Sequence, residues 1–439
     1  MFNKASFKRV ISMPKFYFIL ISMLLSSCEL SKESLHGQSV VPPQMSNTSF
    51  APYMSKDFSG NPVMSWIDQA DNLNSLKYSV WTGNEWSIPI IVSQGKNWLI
   101  NRADFPSVIQ ITETTWVAHW LVFTNEQAFA YDVFISISRD GGKTWSKGVS
   151  PHDDETISEH GFVSFFRDQS DIGVVWLDGR EMPLDGKKYQ KNSGDHGNGM
   201  TLRSAKISHE NKFYDEEIID HLVCDCCQTD IAQTDMGPVL VYRNRTEEEY
   251  RDIYFSKMTD GIWGSGSSVF NDGWEIGGCP VNGPSVSAKG QKVYVTWFTQ
   301  AQGFGEVKFK SEIDEGESSK VAVIDKGLQV LGNVNSSIVS DDNIALSWLR
   351  STQENKIELV VAMLDLKTAS IKELILDEFD ANQRLSVPQL VYSQGELFLS
   401  LSKFQGMEQN VCASKLDMRA FDHQPLSTID WTSDEVKFT

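Results

Sequence analysis

Residues that could do chemistry are concentrated in one part of the chain, between Cys224 and Pro284. Four of the six cysteines fall there: Cys224, Cys226, Cys227 and Cys279. The same stretch holds Arg243 and Arg245, and guanidinium groups bind carboxylate, sulfate or phosphate through paired hydrogen bonds. The net charge of −19 would repel an anion unless a local site were built to receive it. The arginines therefore predict an anion site, whereas the overall charge argues against nucleic acid as a partner.

The N-terminus predicts export to a bacterial cell envelope. A basic segment precedes an apolar run over residues 16–25, which is too short to span a bilayer. The following Leu25-Ser26-Ser27-Cys28 resembles a lipobox, in which the cysteine becomes the lipidated first residue of the mature protein. We expect a lipid-anchored protein of the outer membrane or cell surface, with the lipid on Cys28 as its only membrane contact. The expected organisation is a signal peptide over 1–27, a flexible tether over 28–49 and a single domain over 50–439.

In an exported protein, cysteines are most often disulfide-bonded, and we expect Cys279 to join one of the other three in this stretch. Because adjacent Cys226 and Cys227 point to opposite sides of an extended segment, they are expected to serve different partners. A metal site is the alternative, and it would need a histidine because Cys-x-Cys-Cys is not zinc-ribbon spacing. The cysteines are therefore predicted to be structural, with no bound metal and no cofactor.

A short apolar strand that contains an aromatic residue recurs with a period of about 55 residues. The strands are centred on Trp66, Trp120, Trp176, Tyr242, Trp297, Trp348 and, as a substitute, Leu401. Such a period is typical of a β-propeller, in which each unit forms a four-stranded blade and buries its faces against its neighbours. The sequence predicts an all-β propeller with seven blades and with the five tryptophans in its core.

Strand direction alternates within a blade, so the start of each first strand and the end of each second strand should lie on one face of the ring. This rule brings the conspicuous polar residues to one mouth of the central channel. The predicted substrate-binding residues there are Arg102, Arg180, Gln228, Arg243, Arg245, Asn282 and Arg350.

One turn carries the most specific motif of the chain: Ser138, Asp140, Gly142, Thr144 and Trp145. Its spacing resembles the Asp box, or bacterial neuraminidase repeat, of the sialidase-like β-propellers. In that family the aspartate accepts hydrogen bonds from the turn and the tryptophan plugs between strands, so Asp140 and Trp145 are expected to be structural. The resemblance implies a sialidase-like propeller, here in a lipoprotein branch. Because sialidases have six blades, a six-bladed ring is the alternative.

The resemblance also implies glycoside hydrolysis, since sialidases hold a sugar carboxylate with arginines and use an acid/base aspartate and a tyrosine nucleophile. By position, the catalytic candidates are Asp104, His160, Asp178, Glu181 and Tyr242. We expect a monomeric exo-glycosidase that acts on an anionic glycan. One alternative is a uronate polysaccharide lyase of propeller fold, in which His160 and Tyr242 move protons. Another is a propeller that binds glycans, or serves as a scaffold, without catalysis.

Overall fold

The structure is a computed structural model that describes residues 37–42, 44–169, 171–182, 199–311, 313, 321–405, 408–429 and 431–432. The predicted signal peptide and Cys28 lie outside the described residues. Among the residues that are described, no helix is long and apolar enough to cross a membrane.

The described residues form seven antiparallel sheets, blades 1 to 7, which follow one another along the chain. The first strand, β1 (Gly37–Ser39), belongs to the last blade. Blade 1 contains β2 (Ser49–Lys56), β3 (Pro62–Ala70), β4 (Leu73–Val80) and β5 (Ile90–Gly95). Blade 2 contains β6 (Ser107–Gln110), β7 (Trp116–Asn125) and β8 (Ala130–Ser138). Blade 3 contains β9 (His160–Asp168), β10 (Asp171–Asp178), β11 (Met200–Ile207) and β12 (Phe213–Val223).

The remaining blades follow the same order. Blade 4 contains β13 (Asp230–Thr234), β14 (Gly237–Arg243), β15 (Ile253–Thr259), β16 (Ile262–Trp263) and β17 (Ser267–Ser268). Blade 5 contains β18 (Ser285–Lys289), β19 (Lys292–Thr299), β20 (Gly305–Ser311) and β21 (Val321–Gly327). Blade 6 contains β22 (Val330–Ile338), β23 (Asn343–Ser351), β24 (Lys356–Asp365) and β25 (Ser370–Asp380). Blade 7 contains β26 (Arg384–Leu385), β27 (Gln389–Ser393), β28 (Glu396–Gln405) and β29 (Glu408–Asp417).

The seven-bladed prediction is confirmed, and the ring is closed by a strand from the N-terminal side. Gly37 of β1 pairs with Leu416 of β29 and completes blade 7. These residues fall within the range predicted to be a flexible tether, so this part of the tether prediction is wrong, because β1 supplies the outer strand that blade 7 otherwise lacks. A single-turn 3-10 helix (Met418–Phe421) follows, and β30 (Ser427–Thr428) and β31 (Trp431–Thr432) pair with the outer strands of blades 6 and 5.

The predicted core role of the tryptophans is confirmed, and four of them make the same type of hydrogen bond to an aspartate. Trp66, Trp176, Trp297 and Trp348 are completely buried. Their indole N–H groups donate to Asp68, Asp178, Asp272 and Asp325 at 2.7–3.0 Å. Each carboxylate also faces a cation: Lys77, Arg180, Lys308 and Arg350 respectively. Because a buried N–H without an acceptor costs roughly 1–3 kcal/mol, these aspartates are part of the fold.

The turn after β8 is organised by Asp140. Its carboxylate accepts hydrogen bonds from the Thr144 backbone N–H (2.9 Å) and hydroxyl (2.6 Å) and from the Ser138 hydroxyl (2.8 Å). Gly142 has a φ of 83°, which a residue with a side chain rarely adopts. The hydrogen bonds hold the pKa of Asp140 below its usual range. The carboxylate is therefore occupied by its own turn.

Candidate functional site

The strand register brings one set of chain segments to a single end of the ring, which we name the mouth face. In blade 3 the end of the second strand meets the start of the first, since Asp178 pairs with His160. In blade 1 Ser49 pairs with Asp68 in the same way. The mouth face therefore comprises the segments before each first strand and after each second strand.

Below the mouth face lies a central cavity of about 190 Å³, lined by the first strands of all seven blades. Asp104 lines it and accepts hydrogen bonds from the Phe162 backbone N–H (2.9 Å) and the Tyr131 hydroxyl (3.3 Å). Tyr131 also lies 3.4 Å from Glu159, so its hydroxyl joins two carboxyl groups. Burial raises the pKa of Asp104 to about 7, and of Asp230, also in the lining, to about 6. Asp104 therefore titrates near neutral pH, well above the usual range of an aspartate.

Gln228 and Asn282, predicted to contact a sugar, instead connect blades. The Gln228 amide donates to Ala103 O of blade 2 at 2.8 Å and accepts from Gly283 N of blade 5 at 3.0 Å. Asn282 accepts from Asn333 N of blade 6 at 2.5 Å. Both side chains are buried, so these two predictions are corrected: the side chains hold the ring together at the mouth.

His160 lies in a cage of carboxylates between blades 2 and 3. Its ring stacks on His152, with centroids 3.7 Å apart. Its nitrogens lie 3.4–3.6 Å from carboxylate oxygens of Asp132, Asp154 and Asp178. Burial lowers the pKa of His160, but the nearby carboxylates of Asp132, Asp178 and Asp154 outweigh it, and the net shift is upward. The histidine is fully buried, so it does not face a ligand at the mouth.

Asp178 and Glu181, two predicted catalytic acids, are held by neighbouring arginines. Arg180 contacts both oxygens of Asp178 (2.9 and 2.7 Å), and Trp176 donates to one of them. Arg203 contacts Glu181 at 2.7 Å. Burial alone would raise the pKa of Asp178, but the hydrogen bonds and charge of Arg180 and the charge of His160 together outweigh it, and the pKa is lowered. Asp178 thus has the same structural role as Asp68 in blade 1. We name Asp178, Arg180, Arg203 and His160 the Asp178 cluster.

Arg243 and Tyr242 are structural, contrary to the prediction. The Arg243 guanidinium donates to the carbonyl oxygens of Asn282, Arg251 and Phe298 at 2.6–3.0 Å and is 2% exposed, so it cannot receive an anion. The Tyr242 hydroxyl donates to Asp220 at 2.7 Å, and burial raises its pKa. Tyr242 and His160 share no partner, so the predicted pair of proton-moving residues is not assembled.

Two further predicted arginines also have acidic partners. Arg245 contacts Glu249 at 2.6 Å, and Arg350 contacts Glu358 at 2.6 Å. Each guanidinium is thus neutralised within its own blade.

Arg102 differs from the other predicted arginines. It lines a cleft of about 280 Å³ together with Arg384, Asn333 and Gln383. Within the described ranges, neither Arg102 nor Arg384 has an ion-pair or hydrogen-bond partner. Burial and the charge of Arg384 both lower the pKa of Arg102. The shielded Asn333 Oδ1 also has no hydrogen-bond partner among the described residues. We name this region the arginine cleft.

The sequence reasoning missed Arg384, although a signal for it exists. Arg384 belongs to the segment before β27, the first strand of blade 7. Segments before the other first strands supplied Arg102, Asp104 and Gln228. The same rule applied to the seventh repeat would have found it.

The predicted disulfide is wrong, because Cys224, Cys226, Cys227 and Cys279 are all free thiols. Cys224 Sγ lies 3.5 Å from Cys227 Sγ and 3.7 Å from Cys226 Sγ. Hydrogen bonds from these thiols, and then the charges of Arg243 and Arg251, lower the pKa of Cys224. We name the four residues the thiol cluster.

No protein-family model and no curated protein sequence matches this chain. Solved structures do resemble it. A Dyadobacter fermentans protein of unknown function has a TM-score of 0.49 and 11% identity, over 88% of this chain and 98% of that one. The NanB sialidase of Streptococcus pneumoniae has a TM-score of 0.45 and 12% identity, over 87% and 70%. A Penicillium chrysogenum α-L-arabinanase has a TM-score of 0.44 and 11% identity, over 88% and 99%.

Proposed function

We propose that this chain is a glycan-active propeller that binds an anionic saccharide in the arginine cleft. The observation that carries the proposal is the pairing state of the arginines. Arg180, Arg243, Arg245 and Arg350 are engaged by carboxylates or carbonyl oxygens, whereas Arg102 and Arg384 face one cleft with no partner among the described residues. An anionic ligand is the partner that such a pair lacks.

Electrostatics favours a carboxylate or sulfate ester at this position. Arg102 and the exposed Arg384 line the same cleft, and the charge of Arg384 lowers the pKa of Arg102. A bound anion would offset that repulsion and accept charge-assisted hydrogen bonds. The unpartnered Asn333 Oδ1 adds an acceptor that suits a sugar hydroxyl. The cleft and the central cavity share Asn333 in their linings, so a saccharide in the cleft would lie at the entrance of the cavity.

The proposed reaction is glycoside hydrolysis with Asp104 as the proton donor. A carboxyl group whose pKa lies near the operating pH can supply the proton that a general acid requires. Asp104 follows Arg102 by two residues, and Tyr131 connects it to Glu159, which supplies a second carboxylate. The lyase alternative is less well supported because His160 and Tyr242 lie in separate clusters and neither is among the residues that line the central cavity, whereas Asp104 is.

The test is to incubate the purified protein with sialylated, uronic-acid-containing and sulfated saccharides. Hydrolysis releases sugar without new ultraviolet absorbance, a lyase creates an absorbing unsaturated bond, and a binding protein gives neither product. Asp104→Asn should abolish hydrolysis and leave binding intact. Product formation with ultraviolet absorbance, or undiminished hydrolysis by Asp104→Asn, would refute the assignment.

Binding is tested separately with the double variant Arg102→Ala/Arg384→Ala. It should lose at least about tenfold in affinity, since charge-assisted hydrogen bonds contribute roughly 1.5–3 kcal/mol each. Arg419→Ala is the control, because Arg419 pairs with Asp417 at the surface and is 85% exposed. Equal affinities for the double variant and the wild-type protein would exclude the cleft as the site.

We also propose that the protein is anchored to the cell envelope through Cys28, on the basis of the lipobox-like sequence. Metabolic labelling with a fatty acid should mark the wild-type protein and not Cys28→Ser. Equal labelling of the two would reject the anchor.

A further inference from the structure

The thiol cluster joins two mouth loops that are distant in sequence. Cys224, Cys226 and Cys227 precede β13 of blade 4, and Cys279 precedes β18 of blade 5. The Sγ atoms of Cys224, Cys226 and Cys227 lie within 4.8 Å of one another. Cys226, Cys279 and a carboxylate oxygen of Asp225 form a second such set. Cys226 belongs to both sets, so it links the cysteines of the blade 4 segment to Cys279 of the blade 5 segment.

The sulfur–sulfur distances match the edges of a metal–thiolate tetrahedron. With a Zn–S bond of 2.3 Å, tetrahedral geometry places neighbouring sulfurs about 3.8 Å apart. Cys224 Sγ lies 3.7 Å from Cys226 Sγ and 3.5 Å from Cys227 Sγ. A disulfide would need about 2.05 Å between bonded sulfurs. Two of the six edges of such a tetrahedron are therefore already close to the length that a metal would require.

Nearby charges suit a cluster that becomes anionic when it binds a metal. Four thiolates around a divalent ion carry a net charge of −2, which requires compensation in a partly buried site. Arg251 Nη1 lies 3.3 Å from Cys224 Sγ and 3.3 Å from the Asp225 carboxylate. Glu249 holds the same guanidinium at 2.8 Å. Arg251 therefore contacts one of the four sulfurs, and it shares its charge with Asp225 and Glu249.

We propose that Cys224, Cys226, Cys227 and Cys279 bind one thiophilic metal ion of the zinc type. Thiolate donors select soft or borderline ions such as Zn²⁺ and Cu⁺ over Mg²⁺ and Ca²⁺. Each coordinating thiol gives up its proton to solvent, so metal uptake releases protons. The bound ion ties the mouth loop of blade 4 to that of blade 5. The site is separate from the arginine cleft and does not depend on the proposed glycan activity.

The experiment uses the full chain, reduced and handled without oxygen, with Zn²⁺, Cd²⁺ and Cu⁺ as probes. We expect one equivalent of metal per chain, the ultraviolet charge-transfer band of a cadmium thiolate, and protection of four thiols from alkylation. Competition between Zn²⁺ and Cu⁺ identifies the preferred ion. Cys226→Ser should weaken binding by more than about 100-fold, beyond the effect typical of residues outside the coordination shell.

Two further variants keep the test decisive if Cys226→Ser folds poorly. Cys279 is exposed, so Cys279→Ser should fold normally and still lose affinity. Asp260→Asn, in an exposed turn of blade 4, should bind metal like the wild-type protein. The proposal is overturned if the reduced chain takes up no stoichiometric metal, or if Cys279→Ser and Cys226→Ser both bind as tightly as Asp260→Asn. It is also overturned if mass spectrometry of the natively oxidised protein shows these cysteines in disulfides and the reduced form binds nothing.

Discussion

The Asp178 cluster and the arginine cleft both contribute arginines to the mouth face, yet they differ in how those charges are balanced. In the cluster, Arg180 and Arg203 contact Asp178, Glu181 and Glu216 at 2.7–3.3 Å. In the cleft, Arg102 and Arg384 have no acidic partner in the described part of the chain. A guanidinium that is already neutralised stabilises the fold, whereas one that is not neutralised can receive a ligand.

The difference shows why position alone could not identify the binding arginines. Arg180 follows a second strand, and Arg243 and Arg350 lie at the ends of second strands, as an anion site at a propeller mouth would require. Arg180 and Arg350 prove to be part of the repeated arrangement in which an aspartate accepts from a buried tryptophan and faces a cation. Their recurrence follows from the blade architecture.

The largest expected effect comes from breaking the Asp178 cluster. Asp178→Ala removes the acceptor of Trp176 and leaves Arg180 and His160 short of a negative partner. We expect the free energy of unfolding to fall by roughly 3–5 kcal/mol, the usual cost of removing one partner of a buried ion pair. Chemical denaturation measures this loss. Asp68→Ala in blade 1 is the matched comparison, because Asp68 also accepts from a buried tryptophan but faces a single lysine. A loss below about 1 kcal/mol would contradict a structural role.

The second-largest expected effect is on the pH dependence of stability, and it tests whether Asp104 forms an ion pair with Arg102. If they were paired, the pKa of Asp104 would be lowered, but burial raises it to about 7. Because the native protein holds the proton more tightly than the unfolded chain, stability falls as pH rises from about 4 to 7, by up to about 1.4 kcal/mol per pH unit. Asp104→Asn cannot titrate, so its stability should gain on that of the wild-type protein over this range. Denaturation at several pH values measures the difference in free energy of unfolding between the variant and the wild-type protein. A difference that stays constant with pH would argue for a paired Asp104.

Anions should stabilise the protein through the arginine cleft, whereas truncation of the two cleft arginines should hardly change its stability. Arg102→Ala and Arg384→Ala should change the free energy of unfolding by less than about 0.5 kcal/mol, because no partner is lost. Sulfate or glucuronate should raise the melting temperature of the wild-type protein more than that of the double variant, since binding stabilises the native state. Arg180→Ala is the contrasting variant: it should destabilise strongly and keep the anion response. An anion response that persists in the double variant would place the anion elsewhere.

The smallest expected effect is that of Arg245→Ala. Arg245 is neutralised by Glu249 in a partly exposed pair, and such pairs contribute roughly 0–1 kcal/mol. We expect little change in stability and none in saccharide affinity. A clear loss of affinity would show that a paired arginine can also bind the ligand and would weaken the contrast between the two regions.

Much of the fold could be read from local patterns. The period of about 55 residues between the seven apolar strands indicated seven blades, because every blade must bury a large apolar residue, usually aromatic, against its neighbours. The strand-direction rule also brought Arg102, Asp104 and the cysteines to the right segments. β1 was missed because Gly37–Ser39 have no apolar pattern and gain their strand conformation only by pairing with β29.

The sequence by itself determined the repeat, the burial of the tryptophans and the face on which the polar residues gather, since these depend on short-range patterns. Only the tertiary structure decided which of those residues are free to bind. Arg243 is satisfied by carbonyl groups of Asn282 and Phe298 from another blade, and Arg102 meets Arg384 only because the ring closes. Partners so far apart in the chain leave no local trace, so the pairing of charges at the mouth had to be read from the folded protein.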